Sequence, residues 1–184
     1  MLKNDSIHLD HDLSENDVHI SSPELLGEYL GCFRHNSVRY DIHSATRSKD
    51  FIDIVVYANE PKDDIYETVA LVPLQRQTVG QITTYHPAYT RVDERYIGRG
   101  IMEKAYMKIS KILSIIIRAG QSQSPGSTKL WWKLAKNKNC LMMLHNRSTG
   151  WEEVGIDNRN KEVVSSYGES VYDLKTSTLC FTTF

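Results

Sequence analysis

The stretch "ERYIGRGIMEKAYMKI", residues 94–109, sets two glycines against the first turn of a helix. Gly98 and Gly100 lack the Cβ atoms that would block a ligand, and both tolerate a positive φ. The first N–H groups of a helix have no intrahelical partner, and the helix dipole favours an anion there. Arg95 and Arg99 add full positive charge. These groups together suit a pyrophosphate. A tight turn that merely opens a helix would use the same residues, and spacing alone favours that plainer reading. No Gly-Lys-Ser/Thr follows, so this is not a Walker loop. The third glycine of a dinucleotide fingerprint is missing as well.

Few other residues offer chemistry. His86 ends a predicted strand on the glycine side and titrates near neutral pH, which makes it the best candidate base. Glu94 is a candidate acid/base group, with a solvated carboxylate as the alternative. Ser122 and Ser124 follow a predicted core strand; Ser124 is equally well explained as a helix N-cap. "HLDHD", residues 8–12, contains metal-ligand types, but an acidic arm does not preorganise them, so no metal is assigned. Cys140 sits in an apolar strand and reads as an inert buried thiol. Spacing assigns no Ser/His/Asp or Cys/His arrangement.

The chain has 184 residues, 40% of them hydrophobic and 24% charged, with a formal net charge of −1. That composition fits a globular domain with a sizeable core, and net charge selects no partner. No apolar run is long enough to span a bilayer, and the N-terminus lacks the apolar core of a secretory signal. Three widely spaced cysteines fit a reduced, cytoplasmic protein. The charge is uneven, however. Residues 1–30 are acidic, whereas residues 95–147 set Arg95, Arg99, Lys104, Lys129 and Lys133, among others, against Glu103 alone. Solvated helix faces explain most of these lysines. A positive field suited to a polyphosphate or to nucleic acid is the sharper reading.

Residues 1–20 read as a flexible acidic arm and 21–184 as one domain. "SSPELLGEYLGCF" is expected to open a helix at Ser22 and Pro23. Strands are expected in "SVRYDIHSA", "DFIDIVVYA", "YETVALVPL" and "TVGQITTYH", with a turn at "QRQ" and Gly80 as a bulge or close approach. Ile101, Ala105, Ile109 and Ile112 recur at helical spacing. "SIIIRAG" reads as a buried strand, "SPGSTKLWWKLAKNK" as a capped helix, and "NCLMMLHN" and "SVYDLKTSTLCFTTF" as strands. Strand–helix–strand in the middle demands a parallel crossover. The fold class is therefore α/β, with a mixed, mostly antiparallel central sheet and helices on both faces.

The order strand, "VDERYIGRGIMEKAY", amphipathic helix, buried strand, capped helix resembles the GNAT acyltransferase superfamily. Arg95 to Gly100 fits the Gln/Arg-x-x-Gly-x-Gly/Ala pattern of its coenzyme A loop, after a strand ending at Val92. A second register, matching "YIGRGI" to Tyr-Arg-Gly-x-Gly-Ile-Gly, places Gly98 and Ile101 as the family does. In that register Ile97 departs from the Arg/Gln slot and Met102 from the last small position. The resemblance spans roughly residues 22–145 by element order. Segment 121–136 also looks like the corresponding part of some phage-encoded GNAT-like proteins. The resemblance implies an acyl-coenzyme A-dependent N-acyltransferase, with acetyl-coenzyme A or another acyl-coenzyme A as co-substrate. Its diphosphate would meet Val92, Ile97, Gly98, Arg99, Gly100, Ile101 and Met102. The cofactor would lie where two parallel strands splay, with its thioester near Tyr85 and His86 and an amine as acceptor. His86, Glu94 and Ser124 are the catalytic candidates. Trp131 and Trp132 stand where the family often has a tyrosine acid. The alternative is a catalytically inactive GNAT-like binding protein, acting in phage–host interaction or in association with DNA.

Overall fold

The computed structural model describes residues 19–20, 27–60, 65–120, 124–146, 148, 150–154 and 177–183. Residues 1–18 of the expected arm, the expected helix start at Ser22, the loop 61–64 and Ser122 lie outside the described residues. So does most of the polar segment before the last strand.

Four long strands come first: β2 (Glu28–His35), β3 (Val38–Ser48), β4 (Phe51–Glu60) and β5 (Ile65–Val79). They form an antiparallel meander that continues into β6 (Ile82–Pro87). Helix α1 (Ile101–Leu113) then crosses to β8 (Ile117–Arg118), which runs parallel to β6. Helix α2 (Pro125–Lys136) leads to β9 (Cys140–Asn146) and β10 (Gly150–Val154). The last strand, β11 (Ser177–Thr183), inserts between β8 and β9. Two-residue strands β1 (His19–Ile20) and β7 (Arg91–Val92) pair with β5. The sheet order is β10-β9-β11-β8-β6-β5-β4-β3-β2, and among the described residues every pairing except β6–β8 is antiparallel. An α/β fold with an open, mixed, mostly antiparallel sheet is thus observed.

Three sequence expectations are corrected. Residues 28–33, the described part of the segment expected as a helix, belong instead to strand β2, which pairs with β3. Two glycines four residues apart cost a helix about 1 kcal/mol each, while Tyr29, Cys32 and Phe33 suit a pleated surface. Gln75–Gln77, expected as a turn, continue β5 and pair with His86 to Thr84. The turn comes later: Gly80, at φ +59°, and Gln81 form a two-residue loop between the paired Val79 and Ile82. Among the described residues the helices also do not flank the sheet. Both lie on one face, because Tyr106 of α1 and Trp131 of α2 each meet the ring of Phe181 on β11.

The core lies under those helices. Ile101, Ala105 and Ile109 of α1 and Trp131 and Leu134 of α2 pack on Ile54, Val56, Val72, Leu74, Ile117 and Phe181. Ser124 caps α2 by accepting from the Ser127 N–H at 3.2 Å, and Pro125 occupies the first turn, as the sequence implies. The opposite face carries a smaller cluster, in which Val55 and Tyr57 pack with Tyr66 and Leu71. Buried Asp41 lies beside it, bonded to Arg39 and Asn59.

Candidate functional site

A broad groove of about 2010 Å³ runs along the segment between β6 and α1 and reaches across to the start of α2. Its position follows from the sheet. β6 and β8 share the single register pair Tyr85–Ile117, secured by the Tyr85 N–H donating to the Ile116 carbonyl at 2.8 Å. Beyond that pair β6 ends at Pro87, and the chain resumes as β7 on β5 instead of continuing beside β8. The expectation of one strand running through to Val92 is corrected accordingly: Pro87 lacks the N–H that a ladder needs.

The glycine turn forms one wall. Gly98 has φ +77° and Gly100 φ +79°, both in the left-handed region that side chains rarely adopt. Gly100 is the N-cap of α1, and no side chain caps the helix. The leading N–H groups of α1 are therefore left for an external acceptor. A Cβ on Gly98 would have nothing within 4 Å, and one on Gly100 would lie 3.9 Å from the Lys133 ammonium and the His35 ring. The turn thus opens onto free space with a cation beside it.

A charged network fixes this turn. Asp93 caps the short 3-10 turn Glu94–Tyr96 by accepting from the Arg95 N–H at 2.9 Å. Arg95 forms ion pairs with Asp93, at 2.7 Å, and with Glu67. The Arg95 guanidinium holds the Asp93 carboxyl below its usual range. Tyr96 is buried and donates its hydroxyl to Glu67; burial, with that carboxylate, pushes its pKa well up. Arg95 is therefore paired to carboxylates and is not a free phosphate ligand. The Arg99 guanidinium sits 5.4 Å from the centre of the Tyr96 ring, outside the groove wall, while His35 Nε2 donates to the Arg99 carbonyl at 2.7 Å. Of the other residues expected at the phosphates, Val92, Ile97 and Met102 line the groove with the two glycines. Ile97 is 64% exposed, and Ile101 is buried at its base.

The three catalytic candidates, His86, Glu94 and Ser124, all reach this groove, but in different states. Ser124 has its oxygen engaged at the α2 cap. Glu94 is exposed. His86 is half-buried, its Nδ1 is enclosed without a hydrogen-bond partner, and burial plus the nearby Arg118 charge lower its pKa. The imidazole is therefore neutral at pH 7 and can accept a proton. Trp131 is core. Trp132 is partly buried against the core, with the Lys136 ammonium 3.7 Å from its ring centre.

Two residues of the groove are not among the candidates that motif and spacing point to. Lys133 meets the glycine turn from α2, and its sequence signal is only a lysine-rich helix face. Arg118 is visible as the one charge in the apolar run "SIIIRAG", which is itself a signal. No protein-family model and no curated protein sequence matches the chain. Among the described residues no group of three or more His, Cys, Asp or Glu side chains could hold a metal ion, and no helix is long and apolar enough to cross a membrane.

Proposed function

We propose that this chain is an acyl-coenzyme A-dependent N-acyltransferase of GNAT-like design. The observation that carries the reading is the start of α1: two left-handed glycines, an uncapped helix N-terminus and the Lys133 ammonium meet on an open groove. These residues fit a diphosphate, with backbone N–H groups of the turn and Lys133 as its donors. The thioester of a bound acyl-coenzyme A supplies an activated acyl carbon. His86 is the base of this proposal: its neutral imidazole, whose Nδ1 has no hydrogen-bond partner, takes the proton from the attacking amine as the N–C bond forms and the C–S bond breaks. The departing sulfur is protonated to the free thiol, so that amine and thioester give amide and coenzyme A.

A second reading is a binding protein of the same design without catalysis. It is favoured by the capping role of Ser124 and by the exposure of Glu94, which leave His86 as the one enclosed titratable candidate from the sequence. Calorimetric titration with acetyl-coenzyme A and release of free thiol with amine panels separate the two. His86→Ala should abolish thiol release and leave acetyl-coenzyme A affinity unchanged. Binding without any thiol release in the natural protein supports the second reading, and no binding removes the first.

A further inference from the structure

The groove is built from both faces of the sheet. Ile117 is fully buried beneath the helices, so its partner Tyr85 faces them too. Strand alternation turns the next residues, His86 and Arg118, to the opposite face. Gln75 pairs with His86 on the neighbouring strand and Gln77 with Thr84, which places both amides on that same face. His86, Arg118, Gln75 and Gln77 nevertheless line the same groove as Ile101, Tyr106 and Trp131 on the helix side. Its lining thus draws on both faces of the sheet where β6 and β8 part.

At its far side the polar groups are uneven in their partners. The Gln77 amide donates to the Gln75 side-chain oxygen at 3.0 Å. The Arg118 Nε and the His86 Nδ1 are both enclosed and have no hydrogen-bond partner. Among the described residues no carboxylate pairs with Arg118. Cys180, its partner on β11, is a buried thiol that desolvation holds protonated, so it supplies no charge. Arg118 is half-buried with its Nε enclosed, and the planar fork of a guanidinium matches a carboxylate.

We propose that Arg118 seats a carboxylate of the substrate, so that the reacting partner is an amino acid-like amine or a dicarboxylic acyl group. This rests on the acyl-transfer reading for the reaction, but the carboxylate seat itself is a property of the chain. A carboxylate held at Arg118 sets the rest of the molecule beside His86. Gln75 and Gln77 offer amide groups to its polar flank.

The test uses the full chain and works with simple probes of known structure. In one arm, acetyl-coenzyme A is offered with common amino acids and with the amines left when their carboxyl is removed. In the other, succinyl-coenzyme A is compared with acetyl-coenzyme A on one fixed amine. Thiol release should favour the carboxylate-bearing member about ten- to hundredfold in one arm, and that arm identifies the source. Arg118→Gln should erase the preference, and Arg118→Lys should keep part of it. Melting shifts with the same amino acids, amines and free succinate give a readout that needs no transfer. Carboxylate-specific shifts that vanish in Arg118→Gln uphold the seat even if acetyl-coenzyme A fails to bind, in which case only the acyl-transfer reading falls. Equal response to carboxylated and uncarboxylated probes in the natural protein, in both readouts, overturns the proposal whether or not the variants fold.

Discussion

Replacing Gly100 with alanine and with glutamate separates backbone need from ligand need. Both side chains meet the same φ of +79°, and both have room, since the nearest atoms to the new Cβ stand 3.9 Å away. Left-handed strain costs each about 1–2 kcal/mol. For a chain of this size that lowers the melting point by roughly 2–8 °C. The glutamate recovers about 0.3–1 kcal/mol at the positive end of α1, so it should melt no lower than the alanine variant. Binding splits them. A carboxylate about 4 Å from a phosphate charge is unfavourable by about 4 kcal/mol at an effective dielectric of 20. Exposure and salt reduce that, and a loss of roughly 10- to 100-fold in acetyl-coenzyme A affinity is the discounted expectation. Alanine should change affinity by only a few-fold. Scanning fluorimetry on the free proteins and calorimetric titration at fixed ionic strength measure both quantities. If glutamate binds acetyl-coenzyme A as tightly as the natural protein, no phosphate lies at the turn. If alanine loses binding as completely as glutamate, the glycine serves conformation alone.

Acid should destabilise the fold through its histidines. His86 and His43 have pKa values lowered chiefly by burial, so the unfolded chain binds more protons than the folded one below about pH 6.5. Their contribution is present above that pH and lost as it falls, and denaturant titrations from pH 7.5 down to pH 5 should follow this slope; a flat profile would contradict the burial. Burial pushes the Cys140 thiol up to about 11 and the Cys180 thiol to about 12, so an alkylating reagent at pH 8 should label Cys32 well ahead of either in the native protein. Peptide mapping checks this, and rapid native labelling of Cys180 would refute it. Trp131→Ala should cost about 3–5 kcal/mol, because it empties a site that is 2% exposed in the core. Denaturant unfolding measures it, and a loss under 1 kcal/mol would mean that the α2 packing is not as described.

Local chemistry was legible, and distant pairing was not. The ends of α1 and α2 could be read because a left-handed glycine, a serine cap and an adjacent proline act within a few residues. The helix expected over residues 21–33 failed at residues 28–33 because their apolar side chains satisfy a strand equally well once β3 is there to pair with. At the site, the glycine turn and His86 were visible as types. The fate of Arg95 was not: Glu67, its ion-pair partner, lies on β5, far back in the sequence. Lys133 reaches Gly100 only because α2 packs against α1, and lysines on a helix face do not announce which one ends beside a ligand.

The place of β11 has a consequence for how the molecule is made. It follows both β8 and β9 in sequence, yet it lies between them in the sheet. A ribosome extrudes the chain from its N-terminus, so β8 and β9 emerge before the strand that lies between them. Until β11 arrives, β8 offers one bare edge and β9–β10 stand as a detached hairpin, each a template for pairing with another chain. Phe181 is delivered at the same late moment, and it is the ring on which both helices meet. The nascent protein thus stays unfinished around its groove until the final strand closes it. Slow synthesis or holding by a chaperone at that stage should decide the yield of native protein more than any single contact in the meander does.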